Sequence, residues 1–173
     1  MRDLTPIIEI LNRADQSDQD RPRHTFLVTH GTFTTPEGSF PAWRLGGNPS
    51  CDATRGELYR LLSKCHAIVL SGHTHQTMFA RYENEHGGFT EFTANSVWAT
   101  PELGTDKPIS EGADEFGAFA ASRLTGKRLD EFKRTADLFR SGLTEYYLSS
   151  GAGHYRVNVG DKGVTLEFYP GAS

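Results

Sequence analysis

Two short apolar runs that each end beside a histidine dominate the hydrophobic pattern of the chain. The first covers residues 24–30, HTFLVTH, and the second covers residues 67–75, AIVLSGHTH. Short runs that are rich in β-branched residues and closed by small polar residues or glycine are typical of buried strands. Residues 54–64 lie between the two runs and carry leucines at helical spacing. The order strand, helix, strand predicts a βαβ unit whose two strands are parallel.

The pattern elsewhere predicts one helix ahead of this unit and a mixture of hairpins and helices after it. Within the unit, Thr54 is the predicted N-cap of the helix, and Glu57 completes a capping box with it. The further predictions are helices at residues 5–11, 114–123 and 129–139, hairpins at residues 77–95 and 152–169, and Pro/Gly-rich loops at residues 32–53 and 100–112.

These elements predict the α/β class, with a mixed sheet and a terminal β-hairpin. We expect a single domain of residues 1–173. Residues 1–75 would form its βαβ half, and residues 76–173 would form a half of hairpins and helices.

Three histidines, His30, His73 and His75, lie where the two predicted parallel strands end. The carboxyl ends of neighbouring parallel strands meet at one edge of a sheet, where open α/β sheets bind their ligands. Gly72 allows the chain to bend there, because it has no Cβ to clash. Imidazole is the commonest metal ligand, so convergence of these side chains predicts a metal or catalytic site. The alternative for each histidine is a surface or hydrogen-bonded side chain.

The composition and net charge of the chain argue against nucleic acid and membranes as binding partners. The chain has 173 residues, which suffices for one domain with a core, and a formal net charge of -4. That charge gives no electrostatic reason to expect binding to nucleic acid or to an anionic membrane. No apolar run approaches the ~20 residues of a membrane span, and the N-terminus has no signal-like apolar segment.

The two cysteines, Cys51 and Cys65, do not have the spacing of a metal-binding pair. Free thiols in a reducing compartment are the simplest assignment, and a disulfide between them is the alternative. We therefore predict a cytoplasmic protein.

The segments VTHG at residues 28–31 and SGHTH at residues 71–75 are separated by a loop, a helix and a strand. In this respect the chain resembles the C-terminal half of the calcineurin-like metallophosphoesterase superfamily. That superfamily has a histidine at the end of one strand and a GHxH signature at the end of a later strand. The resemblance covers residues 7–95, and the closing hairpin fits the same half. It implies that the chain is the C-terminal half of an αββα sandwich.

The resemblance also implies a metal-dependent phosphoester hydrolase. In that superfamily two divalent Mn, Fe or Zn ions lie side by side, and His30 and His73 would bind one of them while His75 would bind the other. Two ions about 3.5–4 Å apart can polarise phosphoryl oxygens, supply the nucleophile and stabilise the leaving oxygen. The candidates for binding the phosphoester substrate are Asn95, at the end of a predicted strand, and Arg44, in the long loop after His30.

The chain lacks the DxH, GDxxD and GNHD/E motifs of the superfamily's N-terminal half. Three histidines without carboxylates cannot bridge two cations or offset their charge. The chain is therefore expected to be inactive alone. It would be part of a larger fold, a truncated relative with one three-histidine site, or a non-catalytic metal-binding or protein-interaction module.

Of these alternatives we favour the first, because Met1 lies directly before the opening helix. A sheet divided in this way would have an apolar edge and an apolar face in contact with solvent. We accordingly expect a second chain that supplies the missing half, or self-association.

Overall fold

A computed structural model describes residues 5–16, 24–33, 52–95, 108–151 and 153–170 of the protein. Its helices are α1 (Thr5–Gln16), α2 (Asp52–Lys64), α3 (Ala118–Ala121) and α4 (Gly126–Arg140), with a 3-10 turn at Ala113–Glu115. Its strands are β1 (Phe26–Val28), β2 (Ile68–Ser71), β3 (Thr77–Asn84), β4 (Gly87–Thr93), β5 (Pro108–Glu111), β6 (Leu143–Ser149), β7 (Gly153–Gly160) and β8 (Gly163–Pro170).

The first six strands form a mixed sheet in the order β1-β2-β4-β3-β6-β5, and β7 and β8 form a separate hairpin. β1 is parallel to β2, and β2 is parallel to β4. β3 is antiparallel to both β4 and β6, and β5 is antiparallel to β6. The predicted α/β class, the parallel pairing of the βαβ strands and the terminal hairpin are therefore confirmed.

The main core lies between the sheet and the helices on one of its faces. On α2 the leucines predicted to form the apolar stripe, Leu58, Leu61 and Leu62, are each 0% exposed. They pack with sheet residues that include Val69 and Met78 in one continuous hydrophobic cluster. The helical spacing of these leucines thus places α2 against the sheet, where it packs on β4 and β3.

The predicted capping box at the start of α2 is wrong. The helix begins at Asp52, so Thr54 lies inside its first turn and does not cap it. The Glu57 carboxylate accepts two hydrogen bonds from the Arg60 guanidinium, at 2.7 and 2.8 Å. This pairing within the helix lowers the pKa of Glu57, since the hydrogen bonds favour its ionised form.

The loop predicted at residues 100–112 is wrong for its last part, which forms β5. β5 pairs with β6, a strand that was not predicted. Only two residues, Ser141 and Gly142, separate the end of α4 from the start of β6, so the chain reverses with almost no intervening loop.

The helix predicted at residues 114–123 is also wrong as one element. It is divided into the 3-10 turn and α3, because Gly117 between them has a φ of +82°. A Cβ at Gly117 would lie 3.2 Å from the Phe132 ring, so close packing against α4 also favours glycine there. The predicted helix at residues 129–139 is confirmed and extends from Gly126 to Arg140.

Two further sequence predictions concern the cysteines and membrane spans. The Cys65 thiol donates to the Leu11 carbonyl at 3.8 Å, and Cys51 lies outside the described residues. Among the helices that the structure describes, none has the length and apolar character needed to cross a bilayer.

Candidate metal centre

The register of β1 and β2 brings the two histidine-bearing segments to the same edge of the sheet. Val28, the last residue of β1, is paired with Leu70, which lies one residue before the end of β2. Beyond this pair, the Thr29 amide donates to the Leu70 carbonyl at 3.0 Å. The Gly72 amide then donates to the carbonyl of His30 at 3.4 Å. Backbone hydrogen bonds therefore continue past the strands up to the histidines themselves.

At this edge the side chains of His30 and His73 meet. His73 Nδ1 lies 2.5 Å from His30 Nε2. The two rings are almost perpendicular, with an interplanar angle of 82° and a centroid separation of 4.5 Å. His30 is exposed and His73 is partly buried, so the pair is accessible from solvent. The structure thus brings together two of the three histidines that the sequence analysis singled out.

The two facing ring nitrogens of His30 and His73 can share a proton, or they can bind one cation together. Two neutral imidazoles can form one hydrogen bond when one nitrogen carries the proton and the other accepts it. The same two ring nitrogens are borderline ligands of the kind that Zn, Fe and Mn ions accept. The pair therefore fits a transition-metal ion by ligand type, and its two nitrogens would move apart from 2.5 Å on binding, because two nitrogens held about 2.0–2.1 Å from a tetrahedral ion lie about 3.3–3.4 Å from each other.

The third histidine, His75, is not part of this pair. Its side chain is exposed. Within the described ranges, no group of three or more His, Cys, Asp or Glu side chains is placed to hold one metal ion. Both His73 and His75 have left-handed backbone conformations, with φ of 78° and 54°. The intervening segment turns tightly, because the Thr74 amide donates to the Gly72 carbonyl at 3.0 Å.

These left-handed residues break the alternation that an extended HxH segment would have. A non-glycine residue with positive φ is uncommon and costs about 1–3 kcal/mol of conformational free energy. Such strain persists only where the surrounding structure imposes it, and it is found preferentially at functional sites.

Four buried oxygen atoms in the segments around the pair lack a hydrogen-bond partner among the described residues. They are Thr32 Oγ1, Thr74 Oγ1, Gln76 Oε1 and Asn95 Oδ1. Buried polar atoms are nearly always satisfied by protein, water or an ion. Four such oxygens in the segments that follow β1, β2 and β4 indicate a polar region at this edge that can accept hydrogen bonds or a cation. The sequence analysis missed three of them, although each lies within two residues of a candidate histidine.

Of the two residues proposed to contact substrate, one is described. The Asn95 amide donates to the carbonyls of Ser150 and Gly151, at 2.9 and 3.2 Å, and so ties the end of β4 to the end of β6. Arg44 lies outside the described residues, as does most of the long loop after His30.

The strands that carry the site also contain a buried polar cluster that was not predicted. The Ser71 hydroxyl, two residues before His73, contacts the Thr93 hydroxyl at 2.8 Å and donates to the Glu91 carboxylate at 3.1 Å. Glu91 is 0% exposed. The sequence signal was a charged residue inside a run, FTEFT, whose other residues favour a strand buried on both faces.

Three comparisons with known proteins found no related protein. No protein-family model matches the chain, and it matches neither a curated protein nor a solved structure. What the protein does must therefore be inferred from the histidine pair and its surroundings.

Proposed function

We propose that the protein is the C-terminal portion of a metal-dependent phosphoester hydrolase of the calcineurin-like type, in which His30 and His73 bind one divalent transition-metal ion. The observation that carries this proposal is the 2.5 Å approach of their ring nitrogens at the carboxyl edge of two parallel strands. That edge is where α/β sheets bind ligands. The VTHG and GHTH segments agree with the same assignment.

The roles of the residues follow from their positions. His30 Nε2 and His73 Nδ1 would hold the ion as neutral imidazoles, and their exposure leaves room for a substrate phosphate. A bound divalent ion supplies Lewis-acid polarisation of a phosphoryl oxygen. His75, on the same segment, would serve a second ion, while Asn95 and Arg44 would contact the phosphoester.

Hydrolysis requires carboxylate ligands from elsewhere, and the exposed edge of the sheet supports a partner. Strand β1 is at the edge of the sheet, and its Phe26 and Val28 are 36% and 76% exposed. An exposed apolar edge strand is a template for pairing with another chain. We therefore propose that a second chain, a missing N-terminal half or a second copy covers β1.

The second candidate function is a metal-binding or protein-interaction module without hydrolytic activity. One observation favours it: in the part of the chain that the structure describes, two imidazoles meet, and no group of three or more His, Cys, Asp or Glu side chains is placed to hold a metal ion. A site of two neutral ligands can bind a cation weakly but cannot bridge two of them.

Metal content and activity separate these candidates. The full chain, purified without chelators, would be analysed for Mn, Fe and Zn and assayed with a generic aryl phosphomonoester and diester, while the mass of the assembly is recorded. The variants His30→Ala, His73→Ala and His75→Ala test the ligands. His154→Ala is the matched control, because its ring stacks on Tyr169 in the terminal hairpin.

The hydrolase proposal expects bound metal that is lost in His30→Ala and His73→Ala, and metal-dependent hydrolysis in an assembly that contains a carboxylate-bearing partner. Bound metal without hydrolysis in any assembly would favour the module. A folded chain that contains no metal and binds none when Zn²⁺ or Mn²⁺ is added would overturn the hydrolase and the metal-binding module, and would leave only the protein-interaction module.

A further inference from the structure

The buried side chain of Glu91 lies in the middle of the sheet, on the strand between β2 and β3. It is paired in register with Val69 on one side and Ala80 on the other, and it is 0% exposed. Burying a carboxylate is unfavourable unless hydrogen bonds compensate it. A central strand position between two apolar neighbours therefore needs a specific reason to hold an ionisable group.

The hydrogen bonds of Glu91 supply that reason. Its Oε1 accepts from the backbone amide of Phe33 at 2.8 Å and from the Ser71 hydroxyl at 3.1 Å. Phe33 is three residues after His30, and Ser71 is two residues before His73. One carboxylate oxygen thus connects the two separate segments that carry the paired imidazoles.

Two neighbouring side chains, those of Tyr59 and Thr93, form further hydrogen bonds with the same two segments. The Tyr59 hydroxyl donates to the Phe33 carbonyl at 2.9 Å, so both polar groups of the Phe33 backbone are bonded to side chains of the core. The Ser71 hydroxyl is also bonded to Thr93 on β4, at 2.8 Å. The segments after His30 and before His73 are therefore fixed to the core and to each other.

We propose that Glu91 is a positioning residue that sets the geometry of the His30–His73 pair. The inference deepens the proposed metal site and rests on it for its function, although the positioning itself can be tested without metal. A negatively charged oxygen that receives two hydrogen bonds holds both donors more strongly than a neutral acceptor. Residues that orient metal ligands in this way commonly change metal affinity by about 10–100-fold when they are replaced.

The test compares Glu91→Ala and Glu91→Gln with wild type in the full chain. Glutamine keeps an acceptor oxygen at the same position and loses the charge, whereas alanine removes the acceptor. Leu148→Ala is the matched control for lost stability, because Leu148 is buried on β6, away from both segments. Two quantities would be measured at a temperature where every variant is folded: the nuclear Overhauser effect between the ring protons of His30 and His73 in metal-free protein, and the affinity for Co²⁺ alone.

We expect Glu91→Ala to lose the ring–ring Overhauser effect and to bind Co²⁺ about 10–100-fold more weakly. Glu91→Gln should retain the ring–ring effect, because it keeps the acceptor oxygen, and should bind Co²⁺ more weakly than wild type but more tightly than Glu91→Ala, because it loses the charge. Leu148→Ala should keep both properties. If Glu91→Ala does not fold, Ser71→Ala replaces it and should show the same losses to a smaller degree.

The proposal is overturned if wild type shows no ring–ring effect, or if Glu91→Ala, or Ser71→Ala in its place, keeps that effect or binds Co²⁺ like wild type. It is also overturned if Leu148→Ala loses as much as Glu91→Ala. A wild-type chain that shows the ring–ring effect but binds no Co²⁺ would contradict the proposed metal function. Loss of the effect in Glu91→Ala would in that case still support positioning by Glu91.

Discussion

Helices α2 and α4 cover one face of the six-stranded sheet with solvent-free packing, whereas the β7–β8 hairpin covers the other face loosely. On the helix-covered face Leu62 and Val69 are each 0% exposed. On the hairpin-covered face a cavity of about 490 Å³ remains between the sheet and the hairpin, and it is lined by Phe79, Phe92 and Leu166 among others. The hairpin contacts the sheet through the Phe92 and Tyr155 rings, whose centroids are 4.4 Å apart.

The difference shows where this fold places its polar interactions. The well-packed face contains the buried Glu91 cluster, which connects the segments of the candidate site. The loosely packed face is mostly apolar, with a polar contact between Thr77 and Tyr155 that joins the hairpin to β3. Rigid packing on the helix-covered side of the sheet is thus combined with the hydrogen bonds that connect the segment after His30 to the segment before His73.

The largest expected difference between the faces is in the response to a lost leucine. Leu62→Ala should lower the free energy of unfolding by about 2–5 kcal/mol, since it opens a cavity in a packed region. Leu166→Ala, at the existing cavity, should cost about 1 kcal/mol, because little new void is created. Urea denaturation of both variants measures this, and equal losses would contradict the contrast between the faces.

Removing a single hydroxyl on each face should give a smaller difference. Tyr59→Phe leaves the buried Phe33 carbonyl without the bond that Tyr59 donates at 2.9 Å, and should cost about 1–2 kcal/mol of unfolding free energy. Tyr155→Phe on the hairpin should cost less, about 0.5 kcal/mol, because Tyr155 is only partly buried. A larger loss for Tyr155→Phe would reverse our assignment of the rigid face.

Tyr59 also makes the stability of the helix-covered face depend on pH. Burial, and then the charge of Glu91, raise the pKa of Tyr59 well above its usual value of 10.0. The Tyr59 hydroxyl therefore loses its proton at lower pH in the unfolded chain than in the folded chain. The resulting contribution to the free energy of unfolding is complete below pH about 10 and is lost as the pH rises above that value. Unfolding free energies measured between pH 9 and about 11 should fall less steeply for Tyr59→Phe than for wild type.

Filling the cavity should stabilise the hairpin-covered face. Val164→Ile adds one methylene at a cavity-lining position and should raise the unfolding free energy by about 0.5–0.8 kcal/mol. The control is Val159→Ile at the cross-strand partner, which is 57% exposed and should change stability by about 0.2 kcal/mol or less. Thermal unfolding measures both, and destabilisation by Val164→Ile would show that this space cannot be filled.

The smallest effect is expected for an ion pair that belongs to neither face. Glu57 and Arg60 are partly exposed, so Glu57→Gln should cost only about 0.2–0.5 kcal/mol at neutral pH. The lowered pKa of Glu57 means that this contribution is present above its usual value of 4.5 and is lost as the pH falls. Wild type and variant should therefore have different midpoints of thermal unfolding at neutral pH, and the difference should shrink as the pH falls below 4.5.

The strands of the site could be predicted from sequence because their signal is local. The runs at β1 and β2 are continuous and apolar, and parallel pairing followed from the helix between them. Strand β6 was missed because its Thr144 and Glu145 are adjacent polar residues that obscure its alternation. The convergence of His30 and His73 followed from topology, whereas the separate position of His75 depends on left-handed backbone angles that no spacing rule indicates.

The role of Glu91 could not be predicted from the residues around it in the sequence, because it also depends on the tertiary structure. A charged residue in a strand is normally expected to face solvent, and Glu91 is buried because β4 is central in the sheet and that face is covered by helices. Its partners Phe33 and Ser71 come from two other segments. The strand order that brings them together is a property of the whole fold.

The separation of His30 and His73 by 43 positions in the chain has a consequence for how the site is made. Closing a long loop costs entropy before any contact is gained, and non-local strand pairing is slow. In zinc fingers, by contrast, metal binding itself drives folding. Here β1, β2 and β4 must associate before the two imidazoles can meet. If the pair binds a metal ion as we propose, the ion should therefore not accelerate refolding when it is added to the unfolded chain, and it should instead slow unfolding by binding only the finished sheet.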